Sequence, residues 1–193
     1  MHLAFLYLEG MDRPADPTGY VEKYSLRHAF YKDLKNASFE KISHVQRAKS
    51  SQSTKIDHID YNFVKDDFDK KLRWWQEPAP ALELLTKRKP DVVLVAGLDL
   101  PLNYRWLRRL TGIDVKIIAR HTGETLWPGR NLWLQQFGLR VVDAFIFHKK
   151  EDSQPWTKAS VILARQPVYV LPSFENHGNH SIDQIEMICT DLY

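Results

Sequence analysis

Four short apolar runs punctuate the second half of the chain: residues 91–97 (DVVLVAG), 115–120 (VKIIAR), 144–147 (AFIF) and 167–172 (PVYVLP). Each is near-continuous rather than alternating, the pattern of strands covered by helices on both faces. The segments between them have helical spacing. Residues 100–110 place Asn103, Trp106, Leu107 and Leu110 on one face and Arg105, Arg108 and Arg109 elsewhere, and Gly112 follows as a C-terminal stop. Residues 131–142 set Leu134, Phe137 and Val141 on one stripe, and 151–159 predict a shorter helix. This alternation predicts an α/β fold, a doubly wound, mainly parallel sheet with helices on both faces. Such sheets bind ligands beyond the carboxyl ends of their strands.

The first half is less regular. Residues 3–8 (LAFLYL) predict a strand and 9–18, with Gly10, Pro14 and Pro17, a loop. Thr18 is placed to cap a helix over 19–35. Partial alternation predicts strands over 38–46 and 56–64, and the polar stretch 47–55 (RAKSSQSTK) between them reads as a loop. Residues 66–77 are charged and aromatic, with Trp74 and Trp75 adjacent, and Pro78 and Pro80 lead a helix to about residue 89. After residue 172 the chain turns polar, then offers a helix over 182–193 with Ile185 and Ile188 or Cys189 as its apolar side. Residues 1–176 are therefore expected to form one domain, and 177–193 a tail or the start of an interdomain linker.

Composition narrows the function classes. With 27 basic and 24 acidic residues the net charge is +3, too mild for a nucleic-acid-binding face. The one cysteine, Cys189, excludes an internal disulfide and a cysteine-rich zinc site, and suits a reducing compartment. The opening residues lack a basic leader, and no run reaches the ~18 apolar residues of a membrane span. A cytoplasmic location is expected. Arg105, Arg108 and Arg109 with Lys87, Arg88 and Lys89 offer either a peripheral contact with an anionic membrane or a solvated face, and the charge pattern favours the solvated face. Six Trp, eight Tyr and nine Phe suggest a binding surface besides a core.

Three loops follow strands on the expected binding edge. The loop over 9–19 ends at a helix start, where Gly19 would let an anion approach the backbone, although it is neither GxGxxG nor a Walker loop. The loop RHTGE supplies Arg120, His121, Thr122 and Glu124 within five residues. His121 is the candidate for proton transfer or for donation to a sugar hydroxyl. The loop HKKED holds Glu151, but acids in a first helical turn are what capping alone selects. His177 and His180 near Glu175 lack a convincing third ligand, so no metal site is expected.

Taken in order, PDVVLVAG, RHTGE, VVDAFIF and VYVLPSFEN resemble the N-terminal Rossmann-like domain of GT-B glycosyltransferases, especially the retaining group called family four. Asp91 matches the Asp of a "PDVVH" stretch, His121 a "HD" or "HG" pair, 143–147 an "AD" before a strand, and 171–176 an "IPNG" stretch. The resemblance covers about residues 3–176. It implies that Gly19 approaches a donor diphosphate, that His121 sits by the reacting sugar, and that this half chiefly binds the acceptor. Arg120, Thr122, Glu124 and Glu151 would complete the substrate site. The implied co-substrate is a nucleotide-sugar, with no metal and no other cofactor. The implied partner is a C-terminal Rossmann domain, in cis or on another chain. Without it, the half alone is expected to be inactive, because positioning and electrostatic stabilisation need both walls of a cleft. The alternative is a non-catalytic, flavodoxin-like binding module recruiting a protein through Trp74, Trp75 and Trp156. Gly19, His121 and Glu151 around one cleft would favour the transferase, and their dispersal the module.

Overall fold

β1 (His2–Tyr7) is buried along its whole length because it lies in the middle of one eight-stranded sheet. The computed structural model describes residues 1–8, 17–37, 39–68, 71–171 and 179–193. Among these, β2 (Lys41–Ala48), β3 (Gln52–Ile56), β4 (Ile59–Lys65), β5 (Val92–Ala96), β6 (Lys116–Arg120), β7 (Ala144–Phe147) and β8 (Val168–Val170) complete the sheet. Its order is β3-β4-β2-β1-β5-β6-β7-β8. Every neighbouring pair is parallel except β3–β4. The chain thus winds one way from β1 and then the other from β5, as expected for a doubly wound sheet.

Alternate residues of the central strands feed two cores. Ala4, Leu6, Val93, Val95, Ile117 and Phe147 face α3 (Ala79–Arg88), α4 (Pro101–Thr111), α5 (Leu132–Leu139) and α6 (Lys150–Lys158). Leu3, Phe5, Val92, Leu94, Ile118 and Ile146 face α1 (Pro17–Lys23), α2 (Ser25–Ala37) and α7 (Asn179–Asp191). In α7, Ile185, Ile188 and Cys189 are fully buried, so the apolar side expected of a helix over 182–193 packs into the second core.

Three local readings are corrected. The polar stretch 47–55 ends in an edge strand: β3 pairs antiparallel with β4 through a two-residue turn in which Asp57 (φ 49°) and His58 (φ 65°) are both left-handed. Positive φ at both central positions marks a type I′-like hairpin turn, which usually carries Gly, and the missing Gly hid it. His58→Gly is expected to stabilise the chain by about 0.5 kcal/mol, the relief of left-handed strain net of unfolded-state entropy. A drop in the urea midpoint would mean that the His58 side chain carries an unnoticed contact. The helix expected over 19–35 is two, α1 and α2, meeting at Tyr24. α1 begins at Pro17, so Thr18 lies inside it rather than capping it, and the fixed φ of proline suits that first position.

At the carboxyl edge, Arg47 ties three segments together. It donates to the carbonyls of Leu8 (3.1 Å) and Phe68 (3.0 Å) and pairs with the buried Asp66 carboxylate. Among the described residues no helix is long and apolar enough to cross a membrane.

Candidate functional site

A cavity of about 340 Å³ opens beyond the carboxyl ends of β6, β7 and β8. Arg120, His121, Thr122 and Gly123 form one side, His148 and Asp152 the other, and Ile146, Phe147 and Leu171 an apolar floor. Parallel pairing builds it: Arg120 is in register with Ile146 and Phe147 with Val170, so the residues after β6 and β7 emerge side by side. The His121 backbone N–H extends the ladder, donating to the Ile146 carbonyl at 2.9 Å.

The RHTGE loop folds on itself. The Glu124 side chain is 5% exposed. Its carboxylate accepts from the Thr122 backbone N–H at 2.8 Å and from the Thr122 hydroxyl. Gly123 at φ +109° makes the turn that this requires. His121 Nε2 lies 2.8 Å from the Glu124 carbonyl oxygen. A carbonyl only accepts, so Nε2 carries the proton and Nδ1 is left as the acceptor nitrogen. The imidazole stacks on Phe147 (4.9 Å between centroids) and meets the edge of Trp156 at 6.0 Å. Its tautomer and plane are thus both set by the surroundings.

The first turn of α6 closes the opposite side. Asp152 enters the cavity from that turn, where the helix dipole favours a carboxylate. A hydrogen-bond acceptor on His121, a carboxylate, a guanidinium, a hydroxyl and an apolar floor suit a ligand with many hydroxyls and an apolar ring face.

The sequence-derived residues divide accordingly. Arg120, His121 and Thr122 line the cavity. Glu124 braces the loop from within, and Glu151 is exposed beside Asp152 rather than in the cavity wall. Gly19 does not join them. It sits in α1, which packs over β3 and β4. Four strand spacings separate β4 from β6 in the sheet order, roughly 19 Å at ~4.8 Å each. The loop before it, 9–16, lies outside the described residues, as do His177 and Glu175 and the side chain of His180. His148 and Asp152 belong to the HKKED loop, whose acids a helix start alone would explain. The signal available was a histidine immediately after each of two adjacent buried strands, His121 and His148.

A second polar cluster is buried under α1 and α2. The Tyr7 and Tyr31 hydroxyls are 3.1 Å apart, Tyr31 reaches His44 Nδ1 at 3.2 Å, and His44 Nε2 reaches Gln46 Oε1 at 3.0 Å. Arg27 donates to the Tyr20 hydroxyl at 2.8 Å and lies over the Tyr7 ring at 4.9 Å. Burial holds the His44 pKa down to about 3, offset in part by its bond to Gln46.

No family profile and no curated protein matches this chain. Its fold, however, does have counterparts among solved structures. The fold is a Rossmann-like α/β domain of the kind found in GT-B glycosyltransferases. One solved structure it resembles is the apo form of the lipopolysaccharide outer core galactosyltransferase WaaB, with a TM-score of 0.52 and 14% sequence identity. The match covers 86% of this chain and 44% of that one, consistent with an N-terminal half. The chain therefore spans less than half the length of that enzyme. At this identity the likeness is one of fold.

Proposed function

We propose that this chain is the acceptor-binding half of a glycosyltransferase that moves a sugar from a nucleotide-sugar to a glycan, lipid or small-molecule acceptor. The observation that carries the reading is the fold match to one half of a galactosyltransferase, with a hydroxyl-suited cavity at the carboxyl edge of its sheet. In this reading an acceptor hydroxyl points at His121 Nδ1 and Asp152, which orient it and take up its hydrogen bond. Arg120 and Thr122 hold neighbouring oxygens, and the apolar floor carries the ring face. A second nucleotide-binding domain supplies the donor, and the half alone does not turn over.

An NMR titration of the chain with simple saccharide acceptors and with UDP- and GDP-sugars tests this. Shifts are expected at 120–123, His148 and Asp152, strongest with acceptors. His121→Ala is expected to weaken that binding about tenfold, equivalent to ~1.4 kcal/mol. Binding undiminished in the variant removes His121 from the site.

The separation of Gly19 from His121 favours a second reading, a non-catalytic binding module. So does the exposed pair Trp74 and Trp75, packed edge to face at 5.2 Å with Arg73 over the Trp75 ring, whereas Trp156, expected on the same surface, is buried in the core and is withdrawn from it. Saccharide titrations without any shift, together with tryptophan resonances broadened by a protein partner, select that reading.

A further inference from the structure

We infer that the outer face of α4 and α5 is a docking surface for an anionic lipid membrane. Residues 101–113 and 126–142 carry Arg105, Arg108, Arg109, Arg130 and Arg140 and not one Asp or Glu, in a chain whose charges otherwise nearly balance. Helical spacing puts Leu102, Arg105, Trp106 and Arg109 on one side of α4, and they line an open groove of about 450 Å³ with Phe137 and Val141 of the α5 side. Arg105 lies over the Phe137 ring at 3.8 Å, and Trp133 packs beside Phe137 at 6.3 Å. Trp133 is 57% exposed and Ile113, just past the end of α4, 80%. Large apolar side chains at such exposure gain little from the fold.

The structure redraws the basic patch read from the sequence. Arg108 turns inward to the carbonyls of Val115 and Val141 and to Asp143. Arg88, at the end of α3, points to Asp60 and Asn62 of β4. Arg109, Arg130 and Arg140 remain exposed and without an ion pair among the described residues. A surface on which five arginines outnumber the flanking Asp114 and Asp143, studded with Trp, Phe and Ile, matches a lipid interface. Arginines there meet anionic headgroups while aromatic rings enter the boundary layer. Neither helix is long enough to span, so the contact is peripheral.

This inference stands apart from the glycosyltransferase reading, since vesicle binding needs no sugar. The test is co-sedimentation of the 193-residue chain with vesicles of phosphatidylcholine alone and of phosphatidylcholine mixed with phosphatidylglycerol. Binding is expected only to the mixed vesicles, weakened by salt. Each surface cation is worth about fivefold in partition, so Arg109→Glu with Arg140→Glu is expected to reduce binding at least ~25-fold. Trp133 fluorescence, separated by comparison with Trp133→Phe, should be quenched by brominated lipid in the wild type. That readout holds even if the double variant fails to fold. Equal binding to both vesicle types, or no quenching attributable to Trp133, overturns the inference. So does self-association abolished by the same substitutions in the absence of vesicle binding, which would assign the face to a second copy of the chain.

Discussion

Alanine at position 138 is expected to lower the thermal midpoint by roughly 6–12 °C, the shift that ~3 kcal/mol produces in a domain of this size. Gly138 lies in α5 where that helix crosses the start of α4. A Cβ added there would sit 2.3 Å from the Pro101 carbonyl oxygen, 2.4 Å from its carbon and 2.5 Å from its Cβ. Two of these atoms are backbone and the third belongs to a rigid ring, so no rotamer change relieves the overlap. The helices must separate, which places the cost at the upper end of the ~1–3 kcal/mol typical of overpacking. The helix propensity gained by Gly→Ala, about 1 kcal/mol, is too small to offset it. The displacement would also reach ligand binding, because α5 follows the loop that carries His121. A midpoint lowered by less than ~2 °C would mean that α4 and α5 are not in backbone contact.

Acidification is expected to destabilise the chain through His44. In the folded state burial holds its pKa at about 3, whereas an unfolded histidine titrates near 6.5. Between those values the unfolded chain binds a proton that the folded chain does not. The stabilisation is therefore complete above pH ~6.5 and is lost as pH falls toward 3, at about 1.4 kcal/mol per unit. From pH 6.5 to 4.5 the loss is roughly 2 kcal/mol. The Gln46 bond opposes this in part, but the bond at Nδ1 acts in the same direction as burial. Nε2 already donates to Gln46 and Nδ1 accepts from Tyr31, so a second ring proton would face a hydroxyl turned toward it. Urea denaturation of the wild type and of His44→Gln at pH 7.0 and 4.5 isolates this contribution. The variant is expected to be less stable overall but flatter with pH. An equally steep decline in both would show that His44 is not the acid-labile group.

Fold and site were unequally legible in the sequence. β5, β6 and β7 stand out as apolar runs because they are buried on both faces, and that burial leaves no polar alternation to misread. β3 (QSTKI) is invisible by the same logic. It is a polar edge strand held by one neighbour and by a turn whose left-handed residues are Asp and His. Arg120, His121 and Thr122 could be placed because any residue ending a buried parallel strand emerges at the carboxyl edge. Gly19 could not, since it too follows a strand, but the linear chain does not reveal that β2, β1 and β5 stand between β4 and β6. Asp152 was obscured because helix capping and ligand binding select the same residue types at a first turn, and His148 because a lone histidine before a helix carries no signal by itself.

The position of β1 bears on how the chain must be made. β1 pairs with β2 and with β5, and β5 lies some ninety residues further along. At a synthesis rate of roughly 5–20 residues per second, one side of β1 waits about 5–20 s after its emergence for that partner to be translated. During that interval a largely apolar strand presents unpaired backbone groups on its open edge, the condition under which nascent chains recruit chaperones or join one another. Slowing elongation before residue 92 should therefore lower the soluble yield of the chain more than the same pause placed after residue 120.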